Sequence, residues 1–278
     1  MSLLVKGRHT GRDIVTVTPR SAGWRYVGFA AHRLEAGDPF DFATAANEVC
    51  VVVLRGVVTI NAHGHAWREI GQRTSVFDDQ APYAVYVPAG AKVRVNAHTY
   101  AEIGVASAPG SAARPARLIE PSTMKRSTRG QGLNTRYVCD ILPQTEPADR
   151  LLVVEVVTPS GHSSSYPPHK HDTDNLPVES SLEETYYHRL NPAQGFAFQR
   201  VYTSDGSLDE SLAPGDGDVV LVPRGYHPVG VPAGYDCYYL NIMAGPNRAW
   251  HFTMDPDHAW LMDWNPGAPL ATLEEASA

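Results

Sequence analysis

Val220-Leu221-Val222-Pro223-Arg224-Gly225-Tyr226-His227-Pro228 reads as an extended apolar run that stops at Pro-x-Gly, turns and enters another strand. The first half carries its echo, Val85-Tyr86-Val87-Pro88-Ala89-Gly90-Ala91-Lys92-Val93, 135 positions upstream in a chain of 278 residues. Around both, short β-rich runs bounded by Gly, Pro, Asn and Asp recur from end to end. Asp13 to Thr18, Val49 to Leu54, Ala84 to Val87, Leu151 to Val157, Phe196 to Tyr202, Val219 to Val222 and Tyr235 to Leu240 are examples. Many short strands at this spacing predict an all-β sandwich or barrel. The repeated pattern predicts two related β domains in tandem. Helical signal is local, around Ser122 to Arg126 and Leu273 to Ala276. The Ser/Ala/Pro/Arg-rich stretch Ala106 to Arg136 reads as the connection, giving an expected first domain at 1–115 and a second at 116–278.

The two echoes differ in chemistry. Lys92 stands where the second copy has His227, and nothing like His-x-His occurs around Leu34 to Thr44. The second half adds His169-Lys170-His171 and Glu183-Glu184. In an extended strand residues 169 and 171 point to the same side, and Pro167-Pro168 before them favours that backbone. Three imidazoles and a carboxylate are the donor set of a borderline divalent metal. Neighbouring strand residues face opposite ways, so one of the two glutamates joins the histidines. Glu184 is the preferred ligand, carrying Tyr186 and His188 inward with it; Glu183 is the alternative. The first domain is expected to keep the barrel and lack the metal. His63 and His65 fall at a hairpin tip, where polar surface histidines are ordinary.

Composition narrows the partners. A formal net charge of -7 with no Lys/Arg cluster argues against nucleic acid and anionic membranes, while a small anionic substrate needs only a local basic pocket. Arg55 interrupts the strongest apolar run, Val49 to Ile60, so no membrane span is expected. The opening Met1 to Lys6 has no apolar region of signal-peptide length, and a soluble, cytoplasmic protein is the expectation. Cys50, Cys139 and Cys237 lie far apart, and buried, reduced thiols are expected.

His-x-His, a Glu leading into a Tyr-rich strand, then Pro-x-Gly-x-His, together resemble the cupin superfamily. The longer context is more specific. Pro167 to Asp172, Leu182 to His188, Gly195-Phe196 with Gln199 to Tyr202, Pro223 to Pro228 and Ala244 to Trp250 resemble the bacterial 5-deoxy-glucuronate isomerases of inositol catabolism, the IolB type. Gly23-Trp24 and Gly28-Phe29 extend the likeness to the start of the chain. Twelve residues separate His171 from Glu184, an insertion like that family's and unlike cupins generally.

The resemblance implies two tandem jelly-roll-like barrels, the second holding one divalent ion on His169, His171, Glu184 and His227. Zn, Mn, Fe, Co and Ni all suit such a set, with Zn favoured. It implies that 5-deoxy-D-glucuronate becomes 5-dehydro-2-deoxy-D-gluconate by a proton shift through an enediolate, whose oxygen charge the ion would offset. Glu183 is then a candidate base if it is not a ligand, with Tyr186, His188 and Lys170 behind it, and a hydride shift without a base stays open. Arg200 and Arg224 are candidates for the substrate carboxylate. The aromatic tail, Trp250 to Trp260, is expected to pack over the second barrel and could support a homo-oligomer. Two other readings compete: another metal-dependent cupin enzyme (a uronate isomerase or dioxygenase), and a sugar-binding bicupin with a structural metal.

Overall fold

The computed structural model describes residues 2–263, which form β-strands joined by turns and a few single-turn helices. Two large antiparallel sheets dominate. The first runs in the order Arg117–Ile119, Ala84–Val87, Asn47–Arg55, Ala101–Pro109, Gly28–Leu34 and Asp13–Val17. The second runs Leu4–Val5, Val219–Val222, Glu183–Asn191, Asp236–Ala244, Leu152–Thr158, Arg136–Leu142 and Lys125–Arg129. Each has a four-stranded partner: Pro39–Ala43, Lys92–Ala97, Val58–Ala62 and His65–Ile70 in the first half; Ser163–Ser164, Val229–Gly230, Phe198–Tyr202 and Asp209–Leu212 in the second. The six strands of the first large sheet correspond in order to the first six of the second, Lys125–Arg129 being the additional one, and the two Pro-x-Gly turns leave corresponding strands, Ala84–Val87 and Val219–Val222. The chain is thus an all-β double cupin.

Three cores hold this arrangement. Val51, Val53, Ile60, Val93 and Val95 fill the first barrel, and Val154, Tyr186, Val201, Val220 and Tyr239 help fill the second. A third core lies between the two large sheets, where Phe29, Val52 and Tyr86 meet Tyr187, Tyr238 and Leu240. Both faces of the central strands of each large sheet are therefore buried. That is why Val49 to Leu54 reads as a continuous apolar run rather than an alternating one. In Glu183–Asn191 the period of two sends Glu184, Tyr186 and His188 into the second barrel and Tyr187 toward the first domain.

The two halves also exchange backbone. Leu4–Val5 pairs with Val219–Val222 of the second sheet, while Arg117–Ile119 pairs with Ala84–Val87 of the first. By sheet membership, the expected division at 115/116 falls within this exchange. Two carboxylates reinforce it. Glu48 accepts from the backbone N–H groups of Asp149, Arg150 and Leu151 at 2.7, 2.5 and 2.7 Å. Glu183 accepts from those of Arg25, Tyr26 and Val27 at 2.7, 2.7 and 2.9 Å. Each half thus grips the loop that opens a strand of the other. Arg73 adds a buried two-pronged ion pair to Glu155, both N–O distances 3.0 Å.

Smaller expectations resolve as follows. The helical signal at Ser122 to Arg126 is a 3-10 turn, Pro121–Thr123, followed by the strand Lys125–Arg129. The one at Leu273 to Ala276 lies outside the described residues. His63 and His65 are exposed, and His63-Gly64 forms a hairpin turn with positive φ at both residues. The three cysteines are buried and unpaired. Among the described residues, no helix is long and apolar enough to cross a membrane.

Candidate metal centre

His169, His171 and His227 converge inside the second barrel, each offering a ring nitrogen within 4.8 Å of the others. The first two come from the strand His169–Lys170 and the residue after it, the third from the turn beyond Val219–Val222. Lys170 turns away, as its place between two inward side chains requires, and binds Asp172 at 2.6 Å and Glu179 at 2.8 Å. Asp172 in turn accepts from the Gly225 N–H at 2.8 Å, tying the His227 turn to the His169–His171 segment.

Glu184 closes the group. One oxygen, Oε2, lies 3.1 Å from His171 Nε2 and 3.2 Å from His227 Nε2. Burial would raise this carboxyl, but its contacts with His171 and His227 hold it down at about 2. Burial, then the neighbouring His227 and His171, push His169 well below its ordinary value. Burial pulls His171 down as well, but its bond to Glu184 outweighs this and leaves it raised.

The backbone orients two of the rings. His227 Nδ1 lies 2.9 Å from the Gly225 carbonyl and His171 Nδ1 3.3 Å from the Leu182 carbonyl. Both rings turn Nε2 toward the Glu184 carboxylate. His227 Nε2 is buried and faces Glu184 Oε2 without a well-formed hydrogen bond. Three ring nitrogens and a carboxylate gathered at one point in the interior could hold a cation between them. The donor set, three nitrogens and one oxygen, suits a borderline divalent ion with positions left for a ligand.

A cavity of about 470 Å³ opens from this cluster, in the size range of small-molecule sites. His169 and Tyr186 form part of its wall, with Ser165, Arg136, Tyr239 and Asn241. Tyr186 donates to or accepts from Ser165 Oγ at 2.9 Å. Burial, then the nearby Glu184, raise its phenol well above the ordinary value, so it stays protonated. Phe252 lies against His169, with ring centres 4.9 Å apart, which places the tail beside the cluster.

Three candidates from the sequence sit elsewhere. Glu183 faces the opposite side of its strand from Glu184 and is committed to the Arg25–Val27 amides, so it is no base here. Arg200 is exposed and paired with Asp209 through two bonds of 2.8 Å. Arg224 is exposed on the turn and does not line the cavity. The arginines that do line it are Arg129 and Arg136, both within Ala106 to Arg136, the stretch that reads as the interdomain connection. A signal was present: arginines flank the turn Gly130 to Thr135, a hairpin pattern rather than a linker.

The KduI/IolB family profile matches residues 3–261. A 5-deoxy-glucuronate isomerase of Geobacillus kaustophilus is 52% identical over 266 residues, spanning 95% of this chain and 96% of that protein. The enzyme of the same name from Bacillus subtilis is 46% identical over 248 residues, spanning 89% and 92%. The crystal structure of an IolB-like protein from Salmonella typhimurium superposes with a TM-score of 0.93 at 47% identity, covering 94% of this chain and 100% of that one. An oxalate decarboxylase of Lactobacillus farciminis shares the fold at 14% identity, with a TM-score of 0.67 over 95% and 91% of the two chains. With a match across nearly its whole length, the chain belongs to the KduI/IolB family.

Proposed function

We propose that the chain is a 5-deoxy-glucuronate isomerase, an aldose-ketose isomerase acting in inositol breakdown. The observation that carries this reading is identity near 50% along almost the full chain to enzymes of that name. The convergence of His169, His171, His227 and Glu184 beside a sugar-sized cavity supplies matching chemistry. In this reading those four residues would hold one divalent ion, Zn by preference, which would supply Lewis-acid stabilisation of charge developing on oxygen.

The chain's own groups define the rest. Among the described residues no Asp or Glu lines the cavity, and none of them offers a free carboxylate there as a base. Three phenols line it, Tyr166, Tyr186 and Tyr239. Burial raises Tyr166, Tyr186 and Tyr239 alike, so each is a donor rather than a base at neutral pH. Tyr186, beside Glu184, is placed to donate to an oxygen that gains charge as the enediolate forms. The apolar wall of Val138, Val154 and Val156 keeps water from that intermediate.

The test is to incubate purified protein with 5-deoxy-D-glucuronate and follow ketose formation, with and without a chelator. Turnover abolished by the chelator and restored by a divalent ion is expected. A fully metallated sample without turnover would sink the assignment and favour a binding protein.

A further inference from the structure

We propose that Arg136 is the seat of the substrate's carboxylate, a role that rests on the sugar-acid reading above. The hairpin Lys125–Arg129 and Arg136–Leu142 sets Arg129 directly across from Arg136. Like charges in that relation repel, so the pair needs an explanation. Arg129 has partners of its own, Asp140 at 3.4 Å and the Trp250 ring at 5.5 Å. Arg136 has no carboxylate partner among the described residues; its Nη1 donates to the Asn134 carbonyl at 3.1 Å.

The Arg136 side chain is half-buried and lines the cavity that His169 and Tyr186 share. A guanidinium with no carboxylate partner, in a cavity without an acidic side chain among the described residues, is completed by an anion. A carboxylate matches its planar fork with two bonds. The loop before it is shaped to leave that fork in place. Gly130 has φ +77, and a Cβ there would stand 2.2 Å from the Asn134 carbonyl oxygen and 2.7 Å from Arg136 Nη1. Glycine at 130 therefore holds both the turn and the room for the guanidinium.

Docking the carboxylate on Arg136 orients the substrate. Its charged end goes to the hairpin and its carbonyl end to the histidine cluster, with Asn241 and Ser165 also on the wall for hydroxyl groups. One cavity thus selects acids over neutral sugars and presents the reacting carbons the right way round.

The experiment compares 5-deoxy-D-glucuronate with its uncharged counterpart, in which a primary alcohol replaces the carboxylate. Arg136→Met is expected to lower kcat/KM for the acid roughly 100-fold, mostly through KM, as for a lost charge-assisted pair. The neutral sugar should be unaffected, and Arg136→Lys should recover part of the loss. Equal losses on both substrates, or no loss on the acid, would overturn the proposal. Metal content and melting temperature check that each variant is folded, and Gly130→Ala, which crowds Arg136 without removing it, should show a weaker form of the same selectivity change.

Calorimetric titration with glucuronate and glucuronamide separates docking from activity. Wild type should prefer the acid and Arg136→Met should not. If wild type binds the acid through Arg136 yet never isomerises, the activity reading fails and the docking stands. If it isomerises with no dependence on Arg136, the docking fails and the activity stands.

Discussion

At the scale of single residues, Glu183 and Glu184 differ by one position and by everything they touch. Glu184→Gln should lower metal affinity by more than about 100-fold, measured as bound metal after gel filtration, because an anionic ligand is lost. Glu183→Ala should leave bound metal unchanged and cost about 3 kcal/mol in urea unfolding, since three backbone amides lose their acceptor. The alternation of a strand made this opposition legible in the sequence, whereas the partners of Glu183 were not, because they lie more than 150 positions away. His188 sets a pH dependence. It is fully buried, with Nε2 3.0 Å from Gln199 Oε1, and burial lowers it to about 4 from an unfolded value of 6.5. Between those values the unfolded chain binds the proton and the folded one does not, so its contribution is present above pH 6.5 and is lost as pH falls toward 4. The loss approaches about 3 kcal/mol. Urea unfolding of chelator-treated protein at pH 7.5 and 4.5 should show a shallower pH slope for His188→Gln than for wild type. An equal slope in both would remove His188 from the account.

At the scale of elements, the turn after Val219–Val222 decides where His227 sits. Gly225 has φ +88, and a Cβ there would come within 2.3 Å of the Tyr202 carbonyl oxygen. Gly225→Ala must therefore move the turn. Metal affinity should drop, by isothermal titration with Zn, while Gly90→Ala, at the matching turn with open space around it, should leave the centre untouched. The strands and both turns were readable from Pro-x-Gly and the apolar runs, since those signals are local. The hairpin carrying Arg129 and Arg136 was not. Its residues Lys125 to Arg129 alternate weakly and are mostly solvent-facing, so the stretch resembles a connection in composition. Arg200 misled for a related reason: it lies on a strand of the second barrel, but on the face turned to solvent, where Asp209 claims it.

At the scale of the whole molecule, the duplication was visible because one motif occurs twice, but the exchange of edge strands was not, because two-residue pairings leave no pattern. A fragment of residues 116–278 lacks Leu4–Val5 and exposes the large-sheet face that carries Tyr187, Tyr238 and Leu240. It should express as aggregate or bind no metal, as gel filtration and metal analysis would show. Glu48→Ala, remote from the centre, should destabilise the full chain about as much as Glu183→Ala, and a double variant should cost the sum, because the two grips share no partners. Glu48 and Glu183 stand 135 positions apart, the same interval as the two Pro-x-Gly turns. The surface joining the halves is therefore isologous: one patch, used twice about a local two-fold axis. A free pair of identical barrels with this contact would carry two metal centres and lose both grips to one substitution. Joined in a single chain, one barrel is released to serve only as the partner, and a substitution at Glu48 or Glu183 removes one grip and leaves the other in place.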